Sequence, residues 1–423
     1  MAFHFSRDTK VFMKWHATTS GASGDSAMYE IPVLDGFSFS QATNTTEITL
    51  SEAADGVNLN SKRGRSMFND SFAPAEWSFS TYMRPTTSGT GSTPAGDTWN
   101  IVAGVGQHAG QGKDFAVEGP LWGAMSATTY ALGTGAANTW TAASHEPNEF
   151  NFENSNKVAL GVFDLYFVLG ATYDTDGTYT TAADDSQVTI YKIANCSVGS
   201  ASIDFDIDGL AQVAWSGQGA IISEVASLPM AAGEGASADG SVKGLVNEGI
   251  DSTANFVRQK LTSMTAAYSS ANSTGTDGSH PASYALTLTG GNITIENNLS
   301  YLTPETLGVV NQPLGHVMGT RTVSGNFTCY LNSVADGSME MFENLIEGTG
   351  QVTNAFALAF AIGGAGQTPR VDVSIPRAHF ELPTHSIDDV ISLDVNFHGL
   401  PADMADPTID DDESEIKITY VGS

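Results

Sequence analysis

From Ile203 to Asp208 the chain reads "IDFDID", in which Ile203, Phe205 and Ile207 alternate with Asp204, Asp206 and Asp208. Alternation at period two predicts a strand with one buried and one solvated face. "ISLDVNFHG" keeps the rhythm, with Ile391, Leu393, Val395 and Phe397 on one side and Ser392, Asp394 and Asn396 on the other. Neither run holds Lys or Arg, so the polar side of both strands is acidic, amide or hydroxyl. Two segments read instead as short helices. In "GSMEMFENLIEG" Met341, Phe342, Leu345 and Ile346 share a helical face, Ser338 suits the cap, Glu340 the positive N-terminal end and Gly348 the stop. "GPLWGAMSATTYAL" carries Pro120 in its first turn.

The pattern is written twice. "QVTIYKIANCSVGSASIDFDIDGLAQVAWSGQGA" begins at Gln187 and "PRVDVSIPRAHFELPTHSIDDVISLDVNFHGLPA" at Pro369, and they superpose without a gap at an offset of 182 (369 − 187). Ile193 meets Ile375, Val213 meets Val395, Trp215 meets Phe397, Gly217 meets Gly399 and Ala220 meets Ala402. Looser matches run upstream in the same order: "VALGVFDLYFVLG" with "NAFALAFAIGG", "EWSFSTYMRP" with "SGNFTCYLNS", "PVLDGFSFSQATNTTEITL" with "LTLTGGNITIENNLSYLTP", and "TKVFMKWH" with "VRQKLTSM". The collinear series predicts a tandem duplication with copies over 1–222 and 255–403, a small-residue linker or arm over 223–254 and an acidic C-terminal arm over 404–423. Each copy reads strand, strand, long loop, strand, short helix, strand, strand, strand. The tail ends in "EIKITYV", whose alternation predicts docking on a sheet edge, of this chain or a neighbour.

Composition sharpens the class. A chain of 423 residues exceeds one compact core, and its 44 glycines suit a turn-rich β protein. With 47 acidic against 17 basic side chains the net charge is -30, which argues against tight binding of nucleic acid. Cys196 and Cys329 are far apart, each inside an alternating run, and read as buried small residues. The N-terminal "MAFHFSRDTKVFMKWH" has no signal-peptide core, and no run of about 18 apolar residues occurs, so a soluble protein made in the cytoplasm is expected.

Motifs for chemistry mostly fail. Asp204, Asp206, Asp208 and Gly209 open like a calcium loop, but the twelfth position, which should be a bidentate Glu, is Trp215. "GVGQHAGQGKD" lacks the Walker glycine, since position 107 is Gln, and Asp114 stands where Ser or Thr should follow Lys113. The glycines at 110 and 112 would interrupt a dinucleotide-binding helix. The nine histidines are scattered, with no zinc or nucleophile-elbow spacing. No catalytic site, metal or cofactor is expected.

Taken together, "VDVSIPRAHFELPTHSIDDVISLDVNFHGLP", "TRTVSGNFTCYLN" and "GSMEMFENLI" resemble the major tail tube proteins of long-tailed bacteriophages, in the form with two tube domains in one chain. The resemblance covers nearly the whole sequence. It implies a mainly β protein of two tandem β-sandwich tail-tube domains, each with a short flanking α-helix. It implies a structural virion protein, synthesised in the host cytoplasm, that forms rings stacking into a hollow tube lined by one continuous sheet. A doubled chain would form trimers with pseudo-sixfold symmetry, with DNA passing through unbound. Further partners implied are tail tip or baseplate, terminator and tape-measure proteins, and a sheath if the tail contracts, with no membrane. On this reading Asp204, Asp206, Asp208 and Asp394 would face the lumen. The long loop "SEAADGVNLNSKRGRSMFNDSFAPA", with Lys62, Arg63 and Arg65, would dock on the acidic next ring. A secreted or surface β-rich binding protein, or another virion β-protein such as a baseplate or capsid-decoration subunit, remains an open alternative.

Overall fold

The computed structural model describes residues 9–16, 28–48, 66–87, 114–116, 118–126, 149–152, 160–170, 189–226, 256–268, 283–307, 309–347, 356–387, 390–401 and 414–422. The first half of the chain contributes β1 (Lys10–Trp15), β2 (Met28–Ile31), β3 (Ser38–Ile48), β4 (Ser66–Tyr82), β5 (Pro85–Thr87), β6 (Asp114–Ala116), α1 (Gly119–Ser126), β7 (Glu149–Asn151), β8 (Phe163–Leu169), β9 (Thr189–Asp206), β10 (Gln212–Gly219) and β11 (Ile222–Val225). The second half contributes β12 (Ser263–Tyr268), β13 (Ser283–Tyr284), β14 (Leu288–Glu296), β15 (Leu299–Leu302), β16 (Gly315–Met318), β17 (Thr322–Tyr330), α2 (Ser338–Glu347), β18 (Phe356–Ile362), β19 (Arg370–Phe380), β20 (Thr384–Ile387) and β21 (Ile391–Gly399), and β22 (Lys417–Val421) ends the described chain.

The protein is mainly β, and its spine is one sheet of eight antiparallel strands in the order β3-β4-β10-β9-β14-β17-β21-β20. Both halves contribute four strands, and they meet where β9 pairs with β14. A second layer covers each half. Over the first it is β2-β1-β8-β9-β11. Over the second it is β13-β12-β18-β19-β22-β7. The long strands β9 and β19 pass from one layer into the other. β9 can bend because its pairing with β8 and with β10 shifts register and Asn195 takes a positive φ of 52°, the devices by which a strand turns out of a sheet.

The core fills the space between the layers. Trp77 packs on Phe163 at 5.9 Å, Phe205 on Phe360 at 5.4 Å and Phe356 on Phe380 at 4.3 Å between ring centroids. Close approach explains one glycine. A Cβ on Gly217 would lie 2.3 Å from the Trp77 ring and 2.2 Å from the Ser197 carbonyl oxygen, so no larger residue fits there. Cys196 and Cys329 are free and buried, as their alternating surroundings imply.

The helices differ in what covers them. All eight residues of α1 are buried, consistent with a sequence that has no charged side chain. In α2 Met341 is buried, while Met339 and Ile346 are exposed. Ser338 does not cap its own helix. Its hydroxyl donates to the Tyr330 carbonyl and accepts from the Asn332 N–H, both at 2.8 Å, which ties the start of the helix to the end of β17.

The last strand is an integral part of the fold. β22 lies between β19 of the second half and β7 of the first, with Ile418 and Tyr420 fully buried. Just before it, Glu415 pairs with Arg321 at 3.6 Å, both buried, and Arg321 lies over the Phe152 ring at 5.2 Å. Asn297 reinforces the junction by donating to the Met125 and Val198 carbonyls at 3.2 Å.

Candidate functional site: a polar sheet face and two open edges

The register of the eight-stranded sheet sorts its residues by face. On the buried face Thr81, Val213, Ile203, Ile293, Gly325 and Phe397 stand in one cross-strand row. The one polar member is satisfied, because Trp215 Nε1 donates to Thr81 Oγ1 at 2.9 Å. On the opposite face the rows are mainly polar, and one of them, Ser80, Ala214, Ser202, Thr294, Ser324 and His398, includes an alanine and a histidine. Ser38, Ser78, Ser216, Ser200, Glu296 and Thr322 form one. Gln212, Asp204, Asn292, Asn326 and Asn396 form another. Asp206, Gly290, Thr328, Asp394 and Thr384 form a third.

Hydrogen bonds across the strands knit this face together. Ser38 and Ser78, and Ser200 and Ser216, share hydroxyl contacts of 2.8 Å. Thr328 Oγ1 donates to Asp394 at 2.6 Å, and Asn396 Nδ2 to Glu381 at 2.9 Å. No Lys or Arg occupies these rows. The face is therefore mainly a hydroxyl, amide and carboxylate surface without Lys or Arg in these rows, with His398 on it 3.3 Å from the Glu381 carboxylate.

Asp204, Asp206 and Asp394 are all exposed on this one face, from two strands that are not neighbours. Asp208 is exposed in the turn after β9, where Gly209 supplies a positive φ of 112°. The Asp206 carboxylate accepts the Ile207 N–H at 2.6 Å, a local turn contact. Among the described residues no group of three or more His, Cys, Asp or Glu side chains is placed to hold a metal ion. Lys62, Arg63 and Arg65 lie outside the described residues.

The sheet has two edges. Among the described residues β3 pairs only with β4, and β20 only with β21. Beyond Gln41, β3 and the first half of β4 continue as a two-stranded ribbon past the body of the sandwich. Gln41 anchors its root by donating to the Ala73 and Ala220 carbonyls and accepting from the Ile222 N–H. The β15–β16 hairpin stands beside the ribbon. Asn311, in its loop, exchanges backbone hydrogen bonds with Asp70 and Phe72 at 3.1 and 2.9 Å.

Two buried polar clusters escaped the sequence reading because no local pattern marks them. Glu118, fully buried at the start of α1, accepts from the Tyr420 hydroxyl, which in turn accepts from Trp122 Nε1 at 2.8 Å. Burial pushes the Glu118 carboxyl up to about 7, against the downward pull of Tyr420 and Arg84. Burial also raises the Tyr420 phenol, which keeps it a donor. Asp164 on β8 is the opposite case. Burial pushes its carboxyl up, but His16 at 3.0 Å, Lys192 at 2.6 Å and the Asn195 N–H at 3.0 Å outweigh it and hold it down at about 2.

No protein-family model matches the chain. Over 410 residues it is 28% identical to tail tube protein pb6 of Escherichia phage T5, an alignment covering 96% of this chain and 74% of that relative.

Proposed function

We propose that this chain, a relative of phage tail tube proteins, is a structural protein of the virion tail whose copies close into rings and stack as the tube through which DNA leaves. One observation carries the ring: the seam between β9 and β14 inside a single chain. There the second half adds its strand to the open edge of the first. The chain repeats that arrangement at its ends. β3 lies against β4 as β14 lies against β17, and β20 lies against β21 as the end of β9 lies against β10. The β20 edge of one copy and the β3 edge of the next are thus the counterparts of the internal seam, and joining them would leave no open edge.

Three chains closed in this way, each a tandem pair of tube domains, give a ring with pseudo-sixfold symmetry and a barrel of 24 strands (8 × 3). Such a barrel measures about 40–50 Å between opposite backbones at usual strand spacing and tilt. The polar face with Asp204, Asp206, Asp208 and Asp394 lines the lumen, where an acidic wall without Lys or Arg repels a polyanion and gives it no fixed contact. Lys62, Arg63 and Arg65 steer one ring onto the acidic next, a contact that salt weakens. Tip or baseplate, terminator and tape-measure proteins are the tail partners, and the chain carries no catalytic role.

Light scattering on the purified protein and negative-stain microscopy test this reading. Three-chain rings and hollow tubes about 8–10 nm wide are expected. A protein that stays monomeric at high concentration, or closes into another ring size, would overturn the closure.

A further inference from the structure

The open β20 edge has a helix standing directly behind it. The Phe342 ring of α2 lies 4.5 Å from the ring of His385 in β20. On its exposed side α2 carries Met339, Glu343 and Ile346, spaced by four and then three residues, which is one stripe along a helix. Met339 and Ile346 are each 43% exposed. The equivalent helix of the first half, α1, is buried at every position. What closes α1 comes from beyond the β9–β14 seam. Asn297 donates to the Met125 carbonyl at 3.2 Å, and the Tyr420 hydroxyl accepts from Trp122 at 2.8 Å.

The open β3 edge shows the matching deficit. Ser216 and His398 are equivalent at the offset of 182 (398 − 216). Ser78 pairs with the one and Ser324 with the other, and Ser38 and Thr294 pair with these in turn. Phe37 and Phe39 are therefore the equivalents of Ile293 and Ile295, and Tyr191 is that of Val373. Ile293, Ile295 and Val373 are at most 1% exposed, whereas Phe37, Phe39 and Tyr191 are only partly buried. The three rings form one cluster. Phe37 and Phe39 stack on Phe167 at 5.5 and 4.5 Å, and Phe39 meets Tyr191 at 5.7 Å.

Each patch thus lies where the internal seam has a cover, and half-open apolar surface beside an unpaired edge marks an association surface. At the seam Ile203 stands opposite Ile293. The same register between copies sets His385, the equivalent of Ile203 (385 − 203 = 182), opposite Phe37 of the next copy, and so brings the aromatic cluster beside Phe342. We infer that α2 of one copy packs over the Phe37–Phe39–Tyr191 cluster of the next, as a second layer of contact behind the joined strands. This rests on the ring reading above and adds what strand addition alone does not supply, a cover for both patches. Glu343 in the stripe and Glu224, which pairs with Tyr191 on β11, are both acidic, so apolar burial and not charge pairing holds this contact.

The test separates the helix contact from ring closure. Met339→Asp/Ile346→Asp alters exposed positions only. It should keep the parent melting temperature as a monomer and raise the concentration at which rings form by about tenfold or more, because two carboxylates would be buried on association. Met339→Leu/Ile346→Leu should form rings like the parent. In the parent, hydrogen peroxide should oxidise Met339 several-fold more slowly in rings than in the monomer. With Ile346→p-benzoylphenylalanine, illumination should cross-link α2 to residues 33–41 of a second copy in rings and not in the monomer, read by mass spectrometry of mixed isotope-labelled chains. Aspartate variants that form rings at the parent concentration, a Met339 as reactive in rings as in the monomer, or rings without that cross-link would each overturn the helix contact and leave the ring standing. A parent that forms no rings would instead overturn the tube reading, and this contact with it.

Discussion

Trp122 of α1 donates its indole N–H at 2.8 Å to the hydroxyl of Tyr420, a residue 298 positions later in the last strand, and that hydroxyl in turn donates a hydrogen bond to Glu118. The first half's helix is thereby closed over by the chain's final segment, which also pairs with the second half. Replacing Tyr420 by Phe keeps the ring but leaves a buried carboxyl and a buried indole N–H without their shared partner. Unfolding in denaturant should show a loss of about 1–3 kcal/mol, and an unchanged midpoint would argue that water takes over the hydroxyl's place.

Glu118 gives the protein a pH dependence of its own. Its carboxyl is raised from 4.5 to about 7 in the folded state, so the fold holds that proton more tightly than the unfolded chain does. The stabilisation is complete below about pH 4.5 and is lost as pH rises towards 7. Glu118→Gln, which is neutral at every pH, should gain stability relative to the parent across that window and run parallel to it above pH 7. Parallel curves from pH 4 to 8 would show that Glu118 does not titrate there.

Asp164 works in the opposite sense. Its folded value of about 2 lies below its ordinary 3.8, so its contribution is present above about pH 4 and fades as pH falls towards 2. Asp164→Asn should cost about 2–4 kcal/mol at pH 7, because it leaves Lys192 and the Asn195 N–H facing an amide. The difference between variant and parent should shrink on acidification, a convergence that melting curves at pH 7, 4 and 2.5 would reveal or refute.

Edge closure is open to charge. Thr384→Lys/Ser386→Lys places two cations along the β20 edge, where lysine discourages strand addition. The monomer fold should persist, with ring dissociation raised, because lysines on an edge strand discourage its pairing with a neighbouring strand. Light scattering that still reports full rings at the parent's concentration would move the ring contact elsewhere.

The lumen assignment predicts a transport effect without an assembly effect. Asp204→Lys/Asp206→Lys/Asp208→Lys should assemble normally and slow DNA release from virions, since each cation along the path attracts phosphate. The slowing should ease as salt is raised. Release at the parent's rate would mean that these acids face away from the DNA.

The strand content and the two faces of the central sheet were legible in the sequence. Ile203, Phe205, Val395 and Phe397 are buried and Asp204, Asp206 and Asp394 exposed because alternation follows from the pleat itself, which is a local property of the backbone. The buried, unpaired state of Cys196 and Cys329 followed from the same rhythm. Ser338 shows the limit of local signals. It stands where a capping serine belongs, but Tyr330 and Asn332 claim its hydroxyl.

What the sequence determined by itself was which strand residues share a face and the acidic, cation-poor character of the polar side. Tertiary structure alone decided who pairs with whom. It joined β9 to β14, slotted β22 between β19 and β7, and gathered Glu118, Trp122 and Tyr420 into one buried chain of hydrogen bonds. The physical reason is range. Periodicity reports how one residue sits relative to its neighbours in the chain, whereas strand pairing and the burial of a lone carboxyl depend on residues brought together from nearly 300 positions away, which leave no mark on local pattern.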